Sequence, residues 1–320
     1  MFEFKLNMAD TADAGVLYDL IIIGGGPAGL TAGLYAARYK LNTLMIEKAL
    51  VPGGQLVATQ WVENYPGFPE PVLGEKLAKD MEAQAKFYGL KVVQEDVLSV
   101  NLEGETKEIN TAYNTWKART VIIATGSSPR RLGIPGEQEY SGRGVSYCAT
   151  CDGPFYPDKV VTVVGGGNSA FEEALFIAKY ARKIHIVHRS NRYNADPILQ
   201  ERVAAEPKIE LMPYHVVESI EFGGQQRYVK LKNVLSGLES SLDTDGIFIF
   251  IGTVPNTKLF EKQIELENGY VKSYADNSSS VEGVWVAGDV QAKTLRQVAT
   301  AVGDGANAAH AVHKYLLHRR

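Results

Sequence analysis

The 320-residue chain is 45% hydrophobic and 22% charged, with a formal net charge of −4, the balance of a soluble globular protein of about two domains. That charge argues against a nucleic-acid partner, which calls for a clustered basic surface. The first eighteen residues, MFEFKLNMADTADAGVLY, lack the basic and continuous apolar regions of a secretory signal, so the expected location is cytoplasmic.

The first predicted element is the apolar, β-branched run in YDLIIIGGGPAG (18–29), which enters a glycine turn and continues into the helix-like LTAGLYAARY. Gly24, Gly26 and Gly29 fit G-x-G-x-x-G. In that pattern the first glycine permits a tight turn, the second lets backbone approach a pyrophosphate, and the third lets helix and strand pack closely. The pyrophosphate then meets free N–H groups at the helix N-terminus. The apolar content of LIIIGGGPAGLTAGLYAA (20–37) resembles a membrane span, but three consecutive glycines and a proline argue against one. A second strand, NTLMIEK, ends at Glu47, eighteen residues after Gly29, where an acid bonds the ribose of a dinucleotide. Further on, RTVIIATGSSPRRLGIPG (119–136) reads as a strand with a Gly/Ser/Pro-rich exit.

The segment SYCATCDGPF (146–155) holds Cys148 and Cys151, the only cysteines of the chain. In a reducing compartment such a pair is not a structural staple; it reads as redox or metal chemistry. Structural zinc needs a full tetrahedral set of N or S ligands, and the nearest histidine, His185, lies more than thirty residues away. Asp152 follows directly, either as a proton donor and acceptor or as an ordinary Asp-Gly turn residue.

The first pattern then repeats. KVVTVVGGGNSA (159–170) gives G-x-G-x-x-A through Gly165, Gly167 and Ala170, followed by FEEALFIAKYA. Its second strand, KIHIVHRS, places His188 eighteen residues after Ala170, with Arg189 next and no acid. That site tolerates a 2′-phosphate better than the first, because an acid would repel it and arginine accommodates it. TDGIFIFIGTVPNT (244–257) is a further strand and exit, and 283–317 reads as a strand, a loop and an alanine-rich helix that returns to the first domain. The fold class predicted is α/β, with two Rossmann-like dinucleotide-binding domains, each three-layer, the second inserted in the first. The boundaries predicted are 1–127 and 254–320 for the first domain and 128–253 for the second, which carries the cysteine pair.

Together, GGGPAG, GGQLVATQWVENYPG (53–67), IIATGSSPR, SYCATCDG, VVGGGNSAFEEAL, LENGYVK and VWVAGDVQAKTLRQVATAVGDG (284–305) resemble the low-molecular-weight thioredoxin reductases, FAD-dependent disulfide oxidoreductases, over nearly the whole chain. The resemblance implies FAD on Gly24, Gly26, Pro27 and Ala28 with Glu47 at its ribose. It implies Gln55 and Asn64 along the flavin, Gly288 and Asp289 at the ribityl or pyrophosphate side, and Arg296, Gln297 and Val298 at the ring. Cys148 and Cys151 become the redox disulfide, Asp152 a proton donor or acceptor, and Gly165, Gly167 and Arg189 parts of an NAD(P) site. Thioredoxin or a similar small redox protein is the implied partner, and the implied assembly is a homodimer whose domains swing.

The chain departs from the family at one place. Where the family carries an HRR run and a further arginine four residues on, this chain reads HRSNRYNAD, with Ser190 and Asn194 in place of arginines. Bidentate phosphate grips are lost there. The donor is therefore open between NADPH held weakly or through Arg192, NADH, and a non-nicotinamide donor such as ferredoxin. A non-catalytic flavin redox sensor is the alternative outside enzymes, and the intact cysteine pair argues for turnover.

Overall fold

The computed structural model describes residues 15–59, 61–223 and 226–319. Most of the segment read for a secretory signal, residues 1–14, lies outside them. The chain divides into two compact units, Met1–Ser128 with Pro255–Arg320, and Pro129–Val254. It therefore enters and leaves the second unit through two segments, and these pair as the short strands Ser127–Pro129 and Thr253–Pro255.

The first unit is built on strand Leu17–Ile23, which lies parallel to Thr43–Glu47 on one side and to Thr115–Ile123 on the other. A strand flanked in this way is buried on both faces, so it reads as a continuous apolar run and not as an alternation. Leu20 and Ile22 pack into one core cluster, and Ile21 and Ile23 into another on the opposite face. Lys91–Gln94 closes one edge, Lys107–Thr111 and Val97–Asn101 extend the sheet antiparallel, and the C-terminal strand Val284–Val286 pairs with Thr115–Ile123.

Helix α1 (Pro27–Arg38) starts with proline at its first position, where the missing N–H costs nothing. It ends in a Schellman turn with Lys40 in the left-handed region, and Leu41 N donates to Ala36 O at 3.1 Å. Helix α2 (Gly74–Phe87) packs against α1 on one side. Helix α6 (Val298–Leu317) packs along α1 on the other, its N-terminus fixed by a capping box between Gln297 and Thr300. The two helices approach through small residues. A Cβ at Gly305 would stand 2.2 Å from Ala28 O and 3.1 Å from Ala32 N.

The second unit repeats the parallel core in the order Val145–Ser146, Gly246–Ile249, Val160–Val164, Lys183–His188, Ile209–Pro213. Helices α4 (Asn168–Ile177) and α5 (Pro197–Ala205) cover one face over Val161, Val163, Ile184, Ile186 and Phe248. The antiparallel strands His215–Glu221, Tyr228–Asn233 and Glu239–Asp243 supply Val217, Ile220, Val229 and Leu231 to the other face. The four-residue helix α3 (Ala149–Asp152) packs on α4 through the fully buried Ala149. The protein is thus an α/β fold of two Rossmann-type domains, the second inserted in the first. No helix among the described residues is long and apolar enough to cross a membrane.

The α1–α6 seam gives a direct test. Gly305→Leu should lower the unfolding free energy by about 3 kcal/mol, because the new side chain meets backbone and not a yielding side chain. Denaturant unfolding of the cofactor-loaded protein measures this, and a change within error would show that the seam can open freely.

Candidate active site

In the first unit the glycine turn is held in a conformation that side chains resist. Gly24 has φ +104°, and a Cβ there would lie 2.4 Å from Ala124 O. A Cβ at Gly29 would lie 2.0 Å from Gly24 O. Gly26, the N-cap of α1, is different: a Cβ there would meet nothing within 4 Å, and no side chain caps the helix. The start of α1 therefore faces open space with its N–H groups available to an anion. Glu47 stands beside it at the end of its strand. Gly25 N donates to its Oε2 at 2.5 Å and Ala49 N to its Oε1 at 2.7 Å.

The other residues expected around a flavin fall in the same unit. Gln55, in the 3₁₀ turn Gly54–Ala58, donates to Ser127 O and Ser127 Oγ at 3.2 and 3.1 Å. Asn64 Nδ2 donates to Gln297 Oε1 at 3.1 Å, so two residues 233 apart in sequence meet. Gly288 has φ +80°, and a Cβ there would stand 2.9 Å from Ala28 Cβ, so the Gly288–Val290 turn sits against the start of α1. Burial pushes the Asp289 carboxyl above its usual range, against the opposing pull of Lys293 and Arg296. Arg296 donates to Asp289 O at 3.4 Å and lies 3.9 Å from the Tyr270 ring centroid. Val298 is the first residue of α6 and packs beside Leu56 and Leu77.

In the second unit Gly165 has φ +149°, and a Cβ would lie 2.2 Å from Phe250 O. Gly167 caps α4 with open space before it. Asn168 and Asp196 exchange two hydrogen bonds, 2.8 and 2.7 Å, tying the start of α4 to the start of α5. Arg189 is exposed at the end of its strand, and so is Arg192. Ser190 Oγ accepts from Arg192 N at 3.0 Å, and Asn194 N donates to Gly166 O at 2.7 Å.

Cys148 and Cys151 form a disulfide with Cα atoms 5.4 Å apart. Cys148 is the N-cap of α3, and Cys151 N donates to its Sγ at 3.2 Å. Ser146 Oγ both accepts from Cys148 N and donates to Cys148 O, at 3.1 Å each. Cys151 is exposed and Cys148 half-buried. Asp152 lies next in the helix, half-buried.

The sequence profile of the pyridine nucleotide-disulphide oxidoreductases matches residues 18–305, which spans both glycine turns and the disulfide. The chain belongs to that family. It is 46% identical over 302 residues to a thioredoxin reductase of Listeria innocua, covering 94% of each chain. Its identity to one from Bacillus subtilis is 44%, over 94% of this chain and 95% of the relative. Among solved structures, thioredoxin reductase of Lactococcus lactis superposes with a TM-score of 0.91 at 38% identity, over 94% of this chain and 99% of that one. The enzyme is accordingly an FAD-dependent disulfide oxidoreductase of the thioredoxin reductase type, in a family that uses FAD and a pyridine nucleotide.

The first turn fits FAD on its own geometry: a helix N-terminus that no side chain caps, open space over Gly26, and an acid at the ribose position. Sequence reasoning missed the middle glycine of each turn. A Cβ at Gly25 would lie 3.1 Å from Glu47 Oε2, and one at Gly166 would lie 2.6 Å from His188 Nε2. In both units the residue ending the second strand rests on that glycine. The signal was present as the GGG triplet in both copies, which the G-x-G pattern leaves unread.

One half-buried acid of the enzyme tests the second unit. Burial pushes Glu173 of α4 up to about 8, and Glu172 adds to the rise. The folded state keeps a proton that the unfolded chain loses near pH ~4.3. Stability therefore falls as pH climbs from about 4.3 to about 8, then levels. Glu173→Gln should be more stable than the parent at pH ~9 by about 3 kcal/mol, a figure discounted for solvent reaching this half-buried group. The difference should vanish below pH ~4, and denaturant unfolding across that range measures it.

Proposed function

We propose that the enzyme reduces the disulfide of thioredoxin or a similar small redox protein through Cys148 and Cys151. The observation that carries this reading is the disulfide on α3, in the unit that also bears the second glycine turn, with Cys151 exposed. Relatives named thioredoxin reductase support it.

Gly26, Pro27 and Ala28 would hold the pyrophosphate of FAD at the start of α1, with Gly24 making the turn, Glu47 the ribose, and Gly288 and Asp289 the ribityl side. Gln55, Asn64, Arg296, Gln297 and Val298 would line the ring. FAD, when bound, supplies transfer of two electrons as a unit. The work of the chain is thiol–disulfide exchange. One thiolate of the reduced pair attacks a sulfur of the partner's disulfide; the other resolves the mixed disulfide, and the Cys148–Cys151 bond re-forms. Cys148 caps α3, and Cys151 N donates to its sulfur. Asp152 exchanges the proton of the departing thiol.

Gly165 and Gly167 would hold a nicotinamide dinucleotide at the start of α4, with Arg189 on its adenosine side. Selection for NADPH over NADH is weak in this reading. Ser190 and Asn194 cannot grip a phosphate as two guanidiniums do, and their neighbouring backbone bonds close the loop upon itself. The proposed enzyme is a cytoplasmic homodimer.

Anaerobic titration of the flavin tests the donor. Bleaching by NADH and NADPH at comparable concentrations is expected. No bleaching by either, with bleaching by reduced ferredoxin, would replace the nicotinamide reading. Ser190→Arg with Asn194→Arg should lower the KM for NADPH by roughly tenfold, the worth of a charged hydrogen-bonded contact. An unchanged KM would contradict the account of that loop. Cys148→Ser should abolish thioredoxin reduction while flavin absorbance persists, and continued turnover would sink the proposed relay.

A further inference from the structure

Two hydrogen-bond donors meet on one sulfur of the cysteine pair. Cys151 N and Thr150 Oγ1 both lie 3.2 Å from Cys148 Sγ. A disulfide sulfur carries no hydrogen, so the Thr150 hydroxyl is the donor in its contact. Among the described residues no hydrogen bond ends on Cys151 Sγ. Thr150 and Cys148 are both half-buried, which strengthens a hydrogen bond between them, whereas Cys151 is exposed.

This arrangement is anchored away from the S–S bond. Ser146 Oγ accepts from Cys148 N and donates to Cys148 O, at 3.1 Å each, and Asp152 N donates to Cys148 O at 3.2 Å. Ala149, between Cys148 and Thr150, is fully buried against α4. Opening the disulfide therefore leaves Thr150 Oγ1 beside Cys148 Sγ. The surrounding charges do not favour a thiolate there. Helix α3 packs on α4 and on the 3₁₀ turn Gly153–Phe155. Apart from the cysteines, the titratable side chains of these elements are Asp152, Glu172 and Glu173, all acids. Carboxylates and burial both raise the pKa of a thiol, so the hydrogen bonds to the sulfur are what offsets them.

We propose that Thr150 is a catalytic residue: its hydroxyl donates to Cys148 Sγ and stabilises the negative charge that this sulfur takes each time the disulfide is open. The proposal rests on the reading of Cys148 and Cys151 as the redox pair. In that exchange one cysteine thiolate bonds to a sulfur of the partner's disulfide, whose S–S bond breaks and whose second sulfur leaves with the electron pair. The other cysteine thiolate then displaces the first partner sulfur, and the Cys148–Cys151 bond re-forms. Two electrons have passed from the dithiol to the partner, and the protons of the two cysteine thiols end on the departing sulfurs. In either order Cys148 acts once as a thiolate, to attack or to resolve. A hydrogen bond to an ionised group is roughly twice as strong as one between neutral groups, so the Thr150 hydroxyl favours ionisation of Cys148.

The test uses the holoenzyme carrying Cys151→Ser, in which Cys148 is the only cysteine left, since the chain has two. The backbone donor at position 151 is retained. The rate of alkylation by iodoacetamide across pH, followed by mass spectrometry, gives the midpoint at which the Cys148 thiolate forms. Adding Thr150→Val, which keeps the side-chain shape and removes the donor, should raise that midpoint by about one pH unit, a roughly tenfold loss of thiolate below it. Thr150→Ser keeps a hydroxyl and should hold the midpoint near the parent's. Thr150→Ala is the second donor-free variant, for the case in which the valine protein loses its flavin. A midpoint unmoved in the folded donor-free variants, or moved as far by Thr150→Ser, would overturn the role of the hydroxyl, whatever the thioredoxin turnover of the parent. Absence of thioredoxin turnover in the parent enzyme would instead sink the reading on which the proposal rests.

Discussion

The fold depends on a backbone approach that only glycine allows. Gly24 and Gly29 bring strand, turn and α1 so close that a single added methyl would collide with a carbonyl oxygen. The start of α1 is left uncapped, with its N–H groups facing open space at Gly26. A helix start open to an anion arises from what is missing, a side chain at each position. The same device recurs at Gly165 and Gly167, with Ala170 in the third place. Alanine is compatible there because its methyl already rests 2.8 Å from where a Cβ of Gly165 would be, and Gly165 has none.

Around this constraint the first unit gathers residues from distant parts of the chain. The α1–α6 contact at Gly305 and the Gly288 turn fix the C-terminal segment onto the start of α1. That fixation delivers Asp289 and Arg296 to the same neighbourhood and lets Asn64 reach Gln297. The cysteine pair obeys a more local rule. A four-residue helix closes the disulfide, Cys148 caps it, and Ser146 ties down the approaching strand. Its seat is the buried Ala149 against α4, so the disulfide stands directly on the helix that follows the second glycine turn.

Much of the site was legible in the sequence because its parts are local. A glycine turn between a strand and a helix, an acid eighteen residues on, and two cysteines three apart are all short-range patterns. Other features were not. The contacts of Gly25 with Glu47 and of Gly166 with His188 depend on how two strands lie side by side. The bond from Gln55 to Ser127 joins residues 72 apart, and Arg227 gains its setting only because Gly144, Phe222 and Arg143 converge on it. No periodicity in GQQRYVK announces such a guanidinium. The uneven outcome at the second strand ends is similar. The exchange of an acid for His188 was plain, whereas its ring resting on Gly166 was not.

The sequence by itself determined the two glycine turns, the alternation of elements, the inserted arrangement and the cysteine pair, since each follows from backbone conformation or short-range spacing that composition dictates. Only the tertiary structure decided which carboxyls lose solvent, as with the half-buried Glu173 and Asp289, and which guanidiniums turn to backbone carbonyls, as with Arg143 and Arg227. The physical reason is that desolvation and charge balance depend on every neighbour a fold assembles, and those neighbours come from segments that no local pattern connects.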